Sequence, residues 1–265
     1  MIRQSGMAGF LRATALLVFA MALLPSIGVA QNADDGFDPN ANGSVHVQVV
    51  QANGKILVGG TFTNIDGQAR NRIARLDANG NLDTEFSSTD VDGIVSAIAV
   101  QADGRIVIGG GFSQVGASLR NRIARLNADG SLDASFNPNA SGDVLALVVQ
   151  PDGRLMVGGD FTTLAGQTRN RIARLNADGS LDATFDPNAS DIVYTLALQP
   201  DGKLLLGGKF FTISGQSHRR IARLHADGSL DTAFNPNAVG NDASGIVSAL
   251  AVLADGKVVL GGIFT

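Results

Sequence analysis

The chain has 265 residues, 45% of them hydrophobic and 17% charged, enough to bury a core and unlike a disordered polymer. A formal net charge of −4 argues against nucleic acid or an anionic membrane as a partner. The absence of Cys excludes disulfide scaffolds, Cys-ligated zinc and thiol nucleophiles, and the absence of Trp with a single Tyr argues against an aromatic binding platform.

Residues 1–30 read as a signal peptide. Arg3 and Arg12 supply the positive start, Ala13 to Leu24 is an unbroken apolar run, and Pro25 ends it. Gly28 and Ala30 place small residues before an expected cleavage at Gln31. The run is short for a span, which needs roughly twenty apolar residues. The expected localisation is therefore export to the periplasm, cell surface or medium, with no membrane contact after cleavage.

Residues 31–265 form one repeat domain. A Gly-Gly-x-Phe step ends at Phe62, Phe112, Phe161, Phe210 and Phe264, with spacings of 50, 49, 49 and 54 residues. Ile-Ala-Arg-Leu begins at Ile73, Ile123, Ile172 and Ile221, and Leu-Asp-x-x-Phe ends at Phe86, Phe136, Phe185 and Phe234. The units cover about residues 42–90, 91–140, 141–189, 190–238 and a shorter 239–265. Phe37-Asp38-Pro39-Asn40 matches the step that follows the other units.

Each unit predicts four strands, a to d. In the second, Ile94 to Gln101 is strand a, Arg105 to Ile108 strand b, Arg122 to Asn127 strand c and Ser131 to Phe136 strand d. A loop of about ten residues separates b from c. Turns such as Ala102-Asp103-Gly104 and Ala128-Asp129-Gly130 suit a three-residue hairpin closed by a left-handed Gly. Even spacing of four antiparallel strands predicts an all-β fold, a β-propeller of about 4.5 blades that is incomplete. Open blade edges favour self-association or the presence of the remainder of a longer chain.

The run from Gln150-Pro151-Asp152-Gly153-Arg154 through Gly158-Gly159-Asp160-Phe161 to Arg171-Ile172-Ala173-Arg174-Leu175-Asn176-Ala177-Asp178-Gly179-Ser180-Leu181-Asp182 resembles the delta-60 repeat, a bacterial β-propeller repeat. The resemblance covers about residues 34–265. It implies an exported or cell-surface protein and brings no catalytic residues.

Counting outward from the c–d turn sets Arg75 opposite Asp83, Arg125 opposite Asp133, Arg174 opposite Asp182 and Arg223 opposite Asp231. Strict recurrence marks these as structural ion pairs. The Asn127 to Asp133 stretch has the oxygens of a calcium loop but no Glu at the twelfth position, so it reads as a turn. His46, His218 and His225 share no metal-ligand spacing, and no Gly-x-Ser-x-Gly elbow occurs. No cofactor and no metal site are expected.

Departures from the repeat supply the ligand candidates: Tyr194, Lys209, Phe211, His218, and Asn241 with Asp242 in the longer linker to unit five. The expected function is a non-enzymatic binding or structural module whose partner is a protein or a surface glycan. The alternative is a propeller hydrolase or lyase acting on a glycan, with acidic residues at the channel mouth. Unpaired acids at one mouth favour the enzyme, and ion-paired acids favour the module.

Overall fold

The computed structural model describes residues 39–87, 90–236 and 245–263. Residues 1–30, Phe37, Asn241 and Asp242 lie outside them. Among the described residues every regular element is a strand. Unit one contains β1 (Val45–Val50), β2 (Ile56–Gly60), β3 (Asn64–Ile65), β4 (Gln68–Ala69) and β5 (Ile73–Leu76). Unit two contains β6 (Val95–Val100), β7 (Ile106–Gly110), β8 (Gln114–Val115), β9 (Ser118–Leu119) and β10 (Ile123–Leu126). Unit three contains β11 (Val144–Val149), β12 (Leu155–Gly159), β13 (Thr163–Leu164), β14 (Gln167–Thr168) and β15 (Ile172–Leu175). Unit four contains β16 (Val193–Leu198), β17 (Leu204–Gly208), β18 (Thr212–Ile213), β19 (Gln216–Ser217) and β20 (Ile221–Leu224), and unit five β21 (Ile246–Val252) and β22 (Val258–Ile263).

Each of the first four units is one antiparallel blade. In the first, β2 lies between β1 and β5, and the fourth strand joins through a single bridge between Leu76 and Leu82. The outermost strand is this short for a local reason. In Leu132-Asp133, the carboxylate of Asp133 accepts from Ser135 N at 3.0 Å and Ser135 Oγ at 2.6 Å, which folds the chain out of the sheet. The stretch expected as a plain b–c loop is instead a small hairpin, β3 with β4 in blade one. Its turn residues Asp66 and Gly67 both have positive φ, 49° and 73°, as a two-residue hairpin turn requires.

Blades stack through their innermost strands, β1 against β6, then β11, β16 and β21. The paired glycines serve two different approaches. At the first, a Cβ on Gly109 would stand 2.5 Å from Val144 of the next blade. At the second, a Cβ on Gly110 would stand 1.9 Å from the Ile94 carbonyl of the same blade. One glycine therefore lets blades meet and the other lets strand a lie close to strand b. The seam between blades is filled by Leu, Ile, Val and Phe side chains, with Phe112, Phe161 and Phe210 fully buried.

The turn glycines make a direct comparison possible. Gly179 has φ of 96° and a Cβ there would lie 2.6 Å from Phe136 of the preceding blade, whereas Gly166 has φ of 74° and open space around it. Gly166→Ala should cost only the left-handed backbone term of about 1–2 kcal/mol. Gly179→Ala should lose a further amount of about 1–3 kcal/mol from overpacking. Urea unfolding of the two variants measures this, and equal losses would show that the turn does not press on the neighbouring ring.

Candidate functional site

Strand c carries an Arg whose guanidinium makes several contacts at once. Arg125 donates from Nε to Asp133 at 2.8 Å in its own blade and from Nη1 to the Ala177 carbonyl of the next blade at 2.5 Å. Its plane lies 4.5 Å over the Phe136 ring, the ring that meets Gly179. Arg75 repeats this with Asp83 at 2.7 Å and Ala128 O at 2.6 Å, and Arg174 with Asp182 at 2.8 Å and Ala226 O at 2.5 Å. Arg223 reaches Asp231 at 2.9 Å and covers Phe234 at 4.4 Å. The structure thus brings together all four Arg and Asp partners set opposite each other in the sequence.

A second cation, not identified from the sequence, joins each carboxylate from strand b. Lys55 lies 2.8 Å from Asp83, Arg105 3.8 Å from Asp133, Arg154 3.5 Å from Asp182 and Lys203 3.1 Å from Asp231. The signal was visible, since each follows the Gly of the a–b turn. These acids are held in the charged form. The carboxyl of Asp231 is lowered from 3.8 to about 2, most by the Lys203 hydrogen bond, with Arg223 adding and burial opposing.

A different set of residues breaks the repeat. Every strand a has a bulge, and the extra residue is His46, Ser96, Leu145, Tyr194 or Ser248. A bulge re-aims one side chain out of the ladder. Here it does so on the innermost strand, at a position where the repeat puts five side chains of four kinds. Tyr194 and Ser248 line one cleft of about 430 Å³ with Ile246, Gly262 and Ile263. Partial burial and the charges of Asp191 and Asp160 push the Tyr194 hydroxyl pKa up.

The repeat pattern marks Tyr194 but not the other bulge residues. The structure links several candidates in one chain of contacts. Asp191 sits near Tyr194 and lies 3.9 Å from Lys209. The Lys209 carbonyl accepts from Arg220, whose guanidinium lies 4.1 Å from the Phe211 ring. His218 stands apart. Its side chain is 3% exposed at the place of Arg120 and Arg169, and burial pushes its pKa down against the pull of Asp231. It replaces a structural Arg rather than facing a ligand.

Acids that precede strand a or follow strand b are paired as well. Asp143 lies 3.6 Å from Arg122, Asp160 2.7 Å from Arg171 and Asp191 beside Lys209. Carboxylates in the turns accept from their own turn, as Asp178 does from Ser180 N and Oγ at 2.8 and 2.7 Å. Among the described residues no three His, Cys, Asp or Glu side chains gather as a metal site.

Blades, repeat length and seams define a β-propeller repeat protein. The family model described as "Domain of unknown function (DUF5122) beta-propeller" matches residues 51–86, 101–136, 150–185 and 199–234, more than half of the chain. The chain belongs to that family. Comparison with curated proteins returns no match. Among solved structures, the extracellular domain assigned to a one component system of B. thetaiotaomicron is similar at 12% identity and a TM-score of 0.43, over 68% of this chain and 21% of that one. Virginiamycin B lyase from Staphylococcus aureus is similar at 16% identity and a TM-score of 0.51, over 85% of this chain and 68% of that one. A gluconolactonase from Xanthomonas campestris is similar at 18% identity and a TM-score of 0.46, over 81% and 68%. The chain spans about a fifth of the length of the first of these. At such identities the likeness shows the fold alone.

The lowered Asp231 pKa has a pH signature. A carboxyl depressed in the folded state adds stability that is fully present above its unfolded value and is lost as pH falls through about 2. Asp231→Asn should therefore melt below the unmodified chain at pH 6, with the gap closing as pH falls from 4 to 2. Melting curves across that window check this, and a gap that stays constant would show that Asp231 ionisation does not support the fold.

Proposed function

We propose that this chain is an exported, non-enzymatic β-propeller module of the delta-60 type that binds a surface glycan or protein through the cleft at Tyr194. The observation that carries the reading is the bulge position. At that position on the inner strands the repeat turns a side chain out of the ladder and varies it among His, Ser, Leu and Tyr. A partly buried ring beside a hydroxyl and apolar Ile246 and Ile263 suits a flat, partly apolar partner such as a sugar ring. The pairing of Asp143, Asp160 and Asp191 with cations supports a binding role over acid–base work, since each carboxylate is already engaged by a neighbouring cation. Export rests on the apolar run of residues 13–24 and the small residues before Gln31.

The test uses the composition of the chain. With one Tyr and no Trp, tyrosine emission reports Tyr194 alone. Titration with soluble hexose and N-acetylhexosamine oligosaccharides should give a saturable change in that emission, and single cell-surface proteins, which carry aromatic emission of their own, are titrated by calorimetry instead. Calorimetry on Tyr194→Ala should then show binding weakened by about tenfold, as loss of an aromatic contact of about 1.4 kcal/mol requires. Steady release of cleaved sugar products would instead support a hydrolase or lyase.

A further inference from the structure

Blade four carries a row of side chains that the other blades lack. Two stretches run side by side at one end of it, 190–194 entering β16 and 208–211 leaving β17. Val193 opposes Gly208, Lys209 N donates to the Ile192 carbonyl at 2.8 Å, and Phe211 N donates to Ser190 Oγ at 3.0 Å. Tyr194, Lys209 and Phe211 therefore follow one another away from the bulge. The same three positions hold His46, Thr61 and Thr63 in unit one, Ser96, Gly111 and Ser113 in unit two, and Leu145, Asp160 and Thr162 in unit three.

The last of these positions has a structural task in the first three units. Thr63 Oγ1 accepts from Asn42 at 2.9 Å, Ser113 Oγ donates to Asp92 at 2.6 Å, and Thr162 Oγ1 lies 3.4 Å from Ser141 Oγ. Each hydroxyl fastens the exit of strand b to the linker before strand a. Phe211 gives up that bond and keeps only the backbone one. Its ring is 37% exposed, whereas among the described residues every other Phe is buried or half-buried. One face of the ring is held by the Arg220 guanidinium, 4.1 Å from the centroid. Arg220 is fully buried, where Arg122 and Arg171 at the same repeat position leave 34% and 22% of their side chains exposed. Unit four thus covers a charged surface with a fixed aromatic one.

Positive charge gathers along the same row. Lys209 stands where unit three has Asp160, and the exposed Arg219 stands where the other units have Asn71, Asn121 and Asn170. The Lys209 ammonium is half-exposed and lies 3.9 Å from Asp191, too far for a hydrogen bond, so its donors stay open to a ligand. We propose that this row extends the Tyr194 cleft into a site for an acidic glycan, an oligosaccharide whose sugars carry carboxylate or sulfate groups. The assignment rests on the cleft being a glycan site and adds the charge of the ligand. Tyr194 and Phe211 offer ring faces to sugar faces, and Lys209 between them meets the anionic group. Lys is a point charge rather than a planar fork, so it takes either anion.

The probes are a uronic-acid tetrasaccharide, a sulfated tetrasaccharide and a neutral hexose tetrasaccharide, each titrated into the purified chain by calorimetry at low and high salt. At least one acidic probe should bind about tenfold more tightly than the neutral one, with the preference shrinking at high salt, and the probe preferred names the anion. Lys209→Gln should bring the acidic probes down to the affinity of the neutral one. Phe211→Thr restores the residue type of Thr63 and Thr162, so it keeps the fold, and it should weaken every tetrasaccharide about tenfold. Neutral binding that Tyr194→Ala weakens, with no preference for acid and no effect of Lys209→Gln or Phe211→Thr, would overturn the row and leave the cleft standing. Absence of binding by any sugar would overturn both. Tighter binding of a hexaglutamate peptide than of either acidic sugar would also overturn the proposal, because the row would then serve an acidic protein.

Discussion

The fold depends on one planar cation placed between two blades. The strand-c Arg is buried, and a buried guanidinium must have its donors met. Asp of the same blade and a turn carbonyl of the next blade meet them, and the ring of the Leu-Asp-x-x-Phe step supports the plane. A Lys could keep the charge but not the fork, since two partners in different directions need a rigid planar donor set. The repeated Arg, Asp, Phe and turn Gly are therefore one device. Units one to three each carry a socket that the c–d turn of the next unit fills.

This device explains why the chain is so regular where it is regular and why variation gathers where it does. A change in the Arg, the Asp or the turn Gly would break a seam between blades as well as a hairpin. The bulge on strand a lies outside that constraint, on the inner edge of the blade, and there the side chains differ from unit to unit. Unit four departs further. Asn235 Nδ2 donates to the Ser217 carbonyl at 3.3 Å, a place that Arg120 and Arg169 fill in their own blades, and His218 occupies the space those arginines take. The seam is thus kept by other atoms.

What was legible in the sequence is what local counting can reach. Repeat spacing, the Gly-closed turns and the opposition of Arg174 to Asp182 all follow from the register of one short hairpin. The second bond of the same Arg joins Arg174 to Ala226, across a blade boundary, and no hairpin register predicts it. Strand d was read at six residues because Ser131 to Phe136 has the pattern of a strand. The Asp133 cap that ends it early is a turn preference competing with that pattern. The β3–β4 hairpin was read as loop although Asp66-Gly67 is a hairpin signal, because strands of two residues leave no periodicity. The bulges were invisible for a related reason: one extra residue leaves no break in a run such as Val193 to Leu198.

Arg174 and Arg223 offer a matched comparison of the central interaction. Both pair with an Asp of their own blade and cover a Phe, and only Arg174 also reaches a following turn among the described residues. Urea unfolding of Arg174→Ala and Arg223→Ala in the same buffer measures the difference. If the guanidinium joins neighbouring blades, Arg174→Ala is the more destabilising by about 1.5–3 kcal/mol, the range for a hydrogen bond made by a charged group. Equal losses would contradict the account, because they would leave the bond between blades without weight in the stability of the fold.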